Sequence, residues 1–385
     1  MKIKNFILLG LTALFVSGCS DSDDPSVPDD VTPKEQALRT AATDYVEHTV
    51  LPTYSAMADA AIRMRDLCHT IQDKHAAGTL TSAEVKAAGD AWREARKNWE
   101  LSEAFLFGPA ANHNIDPHID SWPLDKAAMD NLLVQIRNGN KWSLENNGGY
   151  GLIGFHAVEY MLFELSADEN TALVHSIGYT PEELEYLVAV ADDLCQQCVC
   201  LEACWAGTSN VSAEKQGILE DAELDYNENY GWEMMNAGQG GSRFKTYQEV
   251  AEEIIQGCID IADEVGNTKI GRPHIGSSQE DKNYIESPYS LNSIEDFADN
   301  IRSIRNAYLG SRATDASVSD YVKSISPETD AAVRSAIENA IAAIEAVPEP
   351  FAKNATGALA ATAMKAAGAT LVEALEDANA VIIRH

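Results

Sequence analysis

A histidine and a glutamate three residues apart interrupt an otherwise apolar segment, Gly151 to Phe163. At 3.6 residues per helical turn, His156 and Glu159 fall on the same face as several of the apolar side chains. Both polar groups need partners or a ligand, because an unpaired imidazole or carboxylate is costly to bury. Imidazole and carboxylate together suit iron or zinc. The segment therefore predicts a metal site or, as the alternative, a structural hydrogen-bonded pair inside the core.

A further carboxylate is expected from the helix that precedes this segment. Thr81 and Glu84 have capping-box spacing, which predicts a helix from there to about Phe105. Glu103 falls on the same stripe as the tryptophans of this helix, whereas a merely solvated glutamate would favour the opposite face. Glu103 is therefore expected to join His156 and Glu159 as a metal ligand. Glu100 is a further candidate.

The loop between this helix and the next is dense in polar and aromatic residues. Asp116, Asp120 and Trp122 are its candidate site residues, since loops held by rigid helices often line sites. The alternative is an ordinary long loop rich in turn-forming Asp and Asn. In the second half of the chain, Glu286, Ser287 and Ser290 are expected to face the histidine segment across a cleft. A separation above about 20 Å, roughly two helix diameters, would rule out this single-cleft arrangement.

The remaining pattern is helical throughout. Residues 34–77 predict one long helix kinked at Pro52, and Thr180-Pro181 begins a helix that runs to about Trp205. Ser293 and Asp296 stand in capping-box positions before another helix. No alternating pattern of β-branched residues is long enough for a strand. The sequence predicts an all-α protein of two helical-bundle domains, residues 34–209 and 210–385, each built around about four long helices.

The N-terminus has the pattern of an exported bacterial lipoprotein. Residues 1–18 read as a signal peptide that ends just before Cys19, the predicted lipidation site. A chance apolar N-terminus is the alternative. Residues 19–33, rich in Asp, Ser and Pro, predict an acidic tether. The expected location is lipid-anchored, in the periplasm or at the cell surface, with the outer membrane as one such place.

The chain is strongly acidic, with a formal charge of −32. Removal of residues 1–18 takes away Lys2 and Lys4 and no acidic residue, so the mature charge is two units more negative. Such a charge repels nucleic acid and anionic lipid surfaces and attracts cations, or serves solubility alone. A nucleic-acid partner is therefore not expected.

Four cysteines lie close together at positions 195, 198, 200 and 204. In a helix they spread over two faces, so four thiolates would not easily close on one tetrahedral zinc ion. Disulfides or buried thiols are the alternatives, and the pairing stays open.

Ordered motifs across both halves of the chain resemble the imelysin-like family. These are Trp92-x-x-Ala95-Arg96-x-x-Trp99-Glu100, Phe107-Gly108-Pro109, Ile119-Asp120-x-Trp122-Pro123, Gly154-x-His156-x-x-Glu159, Glu286-Ser287-x-x-Ser290, Asn300-Ile301 and Tyr308-x-Gly310. The resemblance implies an all-helical, two-domain, exported bacterial protein linked to iron uptake, with possible iron-uptake partner proteins. The family's functional motif corresponds here to Gly154, His156 and Glu159. Its founding member was described as an insulin-cleaving membrane protease.

Three functions follow as hypotheses. The first is binding of a metal ion, with iron as the expected ion, at His156 and Glu159 near the domain cleft. The second is a zinc-dependent metallopeptidase that uses the same residues. A zinc peptidase helix normally supplies H-E-x-x-H, whereas this helix carries a single histidine, so further ligands would come from Glu103 or the Asp116–Asp120 loop. The third is a structural His–Glu pair in a protein that binds another ligand.

Overall fold

The computed structural model describes residues 32–147, 149–163 and 177–385, which contain helices and no strand. The helices of the first half are α1 (Pro33–Asp44), α2 (Leu51–Ala76), α3 (Ser82–Glu100), α4 (Pro109–Asn112), α5 (Ile115–Asp120), α6 (Lys126–Arg137), α7 (Leu144–Asn147), α8 (Gly154–Phe163) and α9 (Pro181–Ala206). Those of the second half are α10 (Ala213–Asp221), α11 (Tyr230–Met235), α12 (Tyr247–Asp263), α13 (Gly271–Ile275), α14 (Gln279–Lys282), α15 (Ser293–Leu309), α16 (Val318–Ile325), α17 (Pro327–Glu345), α18 (Phe351–Asn354), α19 (Ala358–Lys365) and α20 (Val372–Arg384). Cys19, the predicted signal peptide and nearly all of the predicted tether lie outside the described residues.

Each half is a bundle of long helices, as predicted. In the first half, α2 packs against α3 and α9, and α8 packs against the same two helices. In the second half, α12 and α15 pack together, and α17 and α20 complete the bundle. The stretch Ala358–Arg384 has the length and hydropathy of a membrane span, but it packs into this bundle through buried Leu375, Ala378 and Ile382. The boundary at residue 209 stays a prediction.

Three π-helical segments join helices that would otherwise be separate: Tyr45–Val50, Glu264–Ile270 and Ala366–Leu371. The first of them ends two residues before Pro52, and α1, this segment and α2 follow one another without a break. At the predicted kink the helix thus contains a wider turn, just before a proline that has no backbone N–H to donate to the preceding turn. The second segment carries Lys269 into the protein interior.

The helix caps set where the site-bearing helices begin. Thr81 forms the predicted capping box with Glu84 at the start of α3, and Thr180 forms another with Glu183 at the start of α9. Helix α3 ends at Glu100 instead of continuing to Phe105, and a short 3₁₀ turn, Glu103–Phe105, follows. Glu103 still points inward, with 8% of its surface exposed.

Candidate functional site

Gly154 determines how the histidine helix reaches the rest of the site. Its φ is +77°, and a Cβ atom there would lie 2.1 Å from the carbonyl oxygen of Ile119. Only glycine allows both this backbone conformation and this approach of α8 to the end of α5. The contact brings His156 beside Asp120, the last residue of α5.

His156 and Glu159 form a buried pair on α8. Nδ1 of His156 lies 2.9 Å from Oε2 of Glu159. The other carboxylate oxygen, Oε1, accepts hydrogen bonds from the backbone N–H of Tyr289 at 3.1 Å, and from the N–H and the hydroxyl of Ser290, each at 2.7 Å. Since a carboxylate only accepts, Nδ1 of His156 is the donor and Nε2 points elsewhere. Glu159 therefore orients the imidazole and anchors it to the second half of the chain.

The Nε2 atom of His156 faces Asp120. It lies 3.1 Å from Oδ1 of Asp120, in an orientation that does not make a hydrogen bond. Oδ1 also accepts a hydrogen bond from Nη1 of Arg96, and Oδ2 accepts one from the indole of Trp99 at 2.8 Å. Burial favours the neutral form of Asp120, but Arg96 and His156 outweigh it and hold the pKa of this carboxyl below its usual range.

Arg96 is the centre of the arrangement and is fully buried. Its Nη2 lies 2.6 Å from Oε1 of Glu100 and 2.7 Å from Oε1 of Glu286, and its Nε lies 3.3 Å from Oδ2 of Asp296. Two of these acids come from the second half of the chain. The planar guanidinium, with five N–H donors in fixed directions, is suited to such multiple contacts.

Lys269 is the second buried cation. Its ammonium lies 3.1 Å from Glu286, 3.4 Å from Glu103 and 3.7 Å from Glu100. Burial alone would lower the pKa of Lys269, but these carboxylates raise it well above its usual range. Lys269 thus stays charged and joins the turn after α3 to the second half.

The carboxylates of this cluster outnumber its cations. Six buried carboxylates lie here beside two fully buried cations, Arg96 and Lys269, and the partly buried Arg93, whose guanidinium interacts with Glu159 and Asp296. These carboxylates are Glu100, Glu103, Asp120, Glu159, Glu286 and Asp296. Burial raises the pKa of Glu100 and Glu103 well above the usual carboxyl range, and raises that of Asp296 to about 6. Burial would lower the pKa of His156, yet its contacts with Asp120 and Glu159 raise it to about 9. The excess acid is therefore balanced by bound protons.

Two groups of possible metal ligands meet at Asp120. One ligand atom from each of Asp120, His156 and Glu286 lies within 4.8 Å of the others, and the same holds for Glu100, Glu103 and Asp120. Oε2 of Glu286 and Nε2 of His156 are buried without a hydrogen-bond partner among the described residues. A cation here would find imidazole nitrogen and carboxylate oxygen, which suit iron or zinc.

The structure brings most of the predicted site residues together. Ser287 lies at the edge of the cluster, where its hydroxyl donates to Asp296 at 2.5 Å. Asp116 is half-buried, and burial together with the charge of Asp120 raises its pKa to about 6. The ring of Trp122 packs against Tyr284, with ring centroids 4.0 Å apart.

Sequence reasoning missed three members of the cluster. The sequence did indicate a role for Arg96, because an arginine on the same helix face as two buried tryptophans and Glu103 needs a buried partner. Nothing in the sequence indicated that Lys269 is buried here, because this residue lies in a π-helical segment that departs from the α-helical period. Asp296 was assigned to a capping box with Ser293, and this assignment is wrong: Asn292 is the N-cap, and the box is not formed. Ser293 instead donates to the backbone oxygen of Glu286 at 2.5 Å, and Asp296 binds Arg96.

The cysteines of α9 are thiols. Cys68, Cys195, Cys198, Cys200, Cys204 and Cys258 are all free and buried. The alternative of buried thiols therefore holds for these six.

The imelysin family model matches residues 50–382, and it carries the designation peptidase M75. The match spans the bundles of both halves and the whole carboxylate cluster. The chain belongs to the imelysin family. The resemblance inferred from the motifs is confirmed.

Relatives of this imelysin-family chain include iron-regulated protein A of Synechococcus elongatus, which is 29% identical over 324 residues, 83% of this chain and 79% of the relative. A crystal structure of a protein described as an iron-regulated protein A precursor from Parabacteroides distasonis is 28% identical, with a TM-score of 0.74 over 92% of this chain and 97% of that one. An imelysin-like protein from Psychrobacter arcticus has a TM-score of 0.59 at 14% identity, over 92% of this chain and 94% of that one. The last similarity concerns the fold alone.

Proposed function

We propose that this chain is an exported metal-binding protein that takes part in iron uptake, with iron as its cargo and zinc as the alternative ion. The observation that carries the proposal is the buried cluster, in which six carboxylates face the permanent cations Arg96, Lys269 and the partly buried Arg93. Nε2 of His156 points at the acids without a hydrogen-bond partner among the described residues. A metal cation would replace the protons that balance the excess acid in the metal-free protein, including the proton on Nε2 of His156. The name of the relative, iron-regulated protein A, supports iron.

Asp120, His156 and Glu286 are the proposed ligands, since their donor atoms already lie within 4.8 Å of one another. Glu100 and Glu103 extend the set on the other side of Asp120. Glu159 suits an orienting role better than ligation, because it holds Nδ1 of His156 and both of its oxygens are engaged. A carboxylate that fixes the second nitrogen of a ligating histidine is a common feature of metal sites.

The proposed location follows from the N-terminus. Cys19 would carry the lipid that holds the chain at a bacterial membrane, in the periplasm or at the cell surface. The cargo would then pass to partner proteins of iron uptake.

Calorimetric titration of the full chain with ferric, ferrous, zinc and copper ions tests the proposal. Micromolar or tighter binding is expected, with a loss of at least tenfold in affinity for His156→Ala. His69→Ala is the matched control, because His69 also pairs with a carboxylate, Asp192, at 2.8 Å, but at the surface. Binding that is equal in both variants, or no binding at all, would leave the structural His–Glu pair as the better account.

The metallopeptidase hypothesis is tested with the same protein. Incubation with zinc and unfolded protein substrates is expected to give no cleavage that depends on Glu159, because both oxygens of Glu159 are committed to hydrogen bonds and none is placed to accept a proton from water. Cleavage that Glu159→Gln abolishes would favour the peptidase instead.

A further inference from the structure

A second cluster of ligating side chains shares no residue with the carboxylate cluster. It forms where the residue after α4, the last turns of α9 and the loop before α11 meet. One ligand atom from each of His113, Cys204 and Glu228 lies within 4.8 Å of the others. Nε2 of His113 is 2.9 Å from Oε2 of Glu228. These three residues are far apart in sequence, so the fold itself assembles the cluster.

A fourth donor stands one helical turn away. Cys200 precedes Cys204 by four residues, so both thiols lie on the same face of α9. Both thiols are buried, and they line the same narrow cleft as Glu228. Cys195 belongs to different surroundings, since its sulfur accepts a hydrogen bond from Arg65 at 3.7 Å. Of the four cysteines predicted to lie on two faces of the helix, Cys200 and Cys204 therefore share one face and one cleft.

Neighbouring side chains hold these donors in place. Nη2 of Arg243 binds Oε1 of Glu228 at 2.6 Å, which leaves Oε2 directed at His113. The imidazole of His113 stacks on the ring of Tyr226, with centroids 3.7 Å apart and planes at 11°. Side chains that orient the ligands in this way are characteristic of metal sites.

We propose that Cys200, Cys204, His113 and Glu228 form a second metal site, which takes a zinc-like divalent cation. Two thiolates, one imidazole and one carboxylate are a four-ligand set that suits tetrahedral zinc. Ligand atoms around such an ion lie roughly 3.3–3.8 Å apart, given bond lengths of about 2.0–2.3 Å. The three donors within 4.8 Å need only small side-chain movements to reach this spacing.

The charges of the site also suit a divalent ion. With such an ion, the two thiolates and the carboxylate give a net charge of about −1, and Arg243, which pairs with both Glu228 and Glu233, offsets part of it. Each thiol releases its proton to solvent when the ion binds. The thiolates distinguish this site chemically from the cluster around His156, which offers only nitrogen and oxygen.

Cobalt(II) is the probe that separates the two sites, because thiolate-to-cobalt charge transfer absorbs strongly in the near ultraviolet and carboxylate or imidazole ligands give no such band. The full chain, reduced and freed of metal with a chelator, is titrated with Co²⁺ under anaerobic conditions. A charge-transfer band that saturates at about one Co²⁺ per chain and disappears when Zn²⁺ is added is expected. Absence of this band in the unaltered chain would overturn the proposal.

Variants assign the band to its ligands. Cys204→Ser is expected to abolish it, whereas Cys195→Ser on the same helix and His156→Ala are expected to keep it. A full band in Cys204→Ser would overturn the proposal. If circular dichroism shows that Cys204→Ser does not fold, His113→Gln tests the ligand set instead, because His113 is partly exposed and its replacement disturbs the core less. A loss of at least tenfold in Co²⁺ affinity is expected there, and unchanged affinity would contradict the ligand set.

Discussion

His156 has a carboxylate on each ring nitrogen, and this fixes how the metal-free protein responds to pH. The groups that face it are Asp120, Glu159, Arg96 and Glu286. Burial would lower the pKa of His156, but the carboxylates outweigh it and raise this pKa to about 9, whereas an unfolded histidine has a pKa of about 6.5. The folded state therefore holds a proton that the unfolded state loses. The stability gained is fully present below pH 6.5 and is lost as the pH rises through 9.

We expect His156 to contribute a fall of about 3 kcal/mol in the free energy of unfolding between pH 6.5 and pH 9, which corresponds to the difference between those two pKa values. Urea unfolding in the presence of a chelator measures it. The fall should be smaller by about this amount in His156→Gln and unchanged in His69→Gln, because the buried acids with a raised pKa, Glu100 and Glu103, contribute in both variants. The acids whose pKa is raised to about 6, Asp116, Asp296 and Asp299, titrate mainly at or below the acidic end of this range. A pH profile unchanged in His156→Gln would contradict the charge state inferred for the imidazole.

Glu159 supports a second prediction at the same scale. Glu159→Gln places an amide nitrogen against donors that now point at a carboxylate, from His156, Tyr289 and Ser290. Breaking a buried, hydrogen-bonded charge of this kind costs about 3–5 kcal/mol. Chemical denaturation should show a loss of this size. Glu94→Gln is the control, because Glu94 pairs with Arg63 at the surface, where such a pair contributes about 0–1 kcal/mol. Similar losses in the two variants would mean that the Glu159 contacts contribute little.

The helical periodicity of the sequence correctly predicted which side chains share a face on the regular helices. It put His156 and Glu159 on one face and directed Glu103 inward, because the interval between helical residues fixes their common side. The expected approach of Ser290 to the histidine segment is confirmed by its contact with Glu159, 131 positions away. Helical spacing alone could not give this contact, because it depends on how the two bundles pack. The place of Lys269 in the cluster could not be predicted for the same reason, and also because its segment departs from the α-helical period.

At the scale of elements, two π-helical segments cross at a pair of glycines, and this crossing positions Lys269. A Cβ atom on Gly266 would lie 2.2 Å from the backbone of Gly368. Gly266→Ala must therefore separate the segments Glu264–Ile270 and Ala366–Leu371, at a cost of about 1–3 kcal/mol. Urea denaturation should show this loss, together with weaker ion binding as Lys269 shifts away from Glu103 and Glu286.

Gly217 provides the matched control for this substitution. It lies inside α10, and a Cβ atom there would have no neighbour within 4 Å. Gly217→Ala should raise stability by about 0.5–1 kcal/mol, because alanine loses less conformational freedom than glycine in a helix. Stability changes of the same sign in both variants would argue against a tight crossing at Gly266.

The sequence predicted a capping box correctly only where the capping side chains have no hydrogen-bond partner in the buried cluster. Thr81 and Thr180 stand at surface helix starts, and their side chains have no other partner to prefer, so the capping boxes form. The same pattern at Ser293 and Asp296 fails because both side chains are used by the buried cluster. A local rule was overridden by a contact with Arg96 from the other half of the chain.

For the whole molecule, the buried charges tie the two halves together. Arg96 on α3 binds Glu286 and Asp296, and Lys269 reaches back to Glu100 and Glu103. The buried apolar side chains of both halves also form one continuous cluster. If one half unfolded alone, these charges would lose partners that only the other half supplies, at a cost of several kcal/mol.

We therefore expect the halves to unfold in one transition. Of the six tryptophans, only Trp232 lies beyond residue 209, so tryptophan fluorescence reports mainly on the first half. Helical circular dichroism reports on both halves, since α12, α15 and α17 lie in the second. Coincident denaturation midpoints by the two probes are expected for a single cooperative transition. Arg96→Met should lower both midpoints together. Fluorescence and circular dichroism midpoints that separate in the unaltered chain would instead mean that residues 34–209 and 210–385 fold as independent domains, and that the carboxylate cluster contributes little to their coupling.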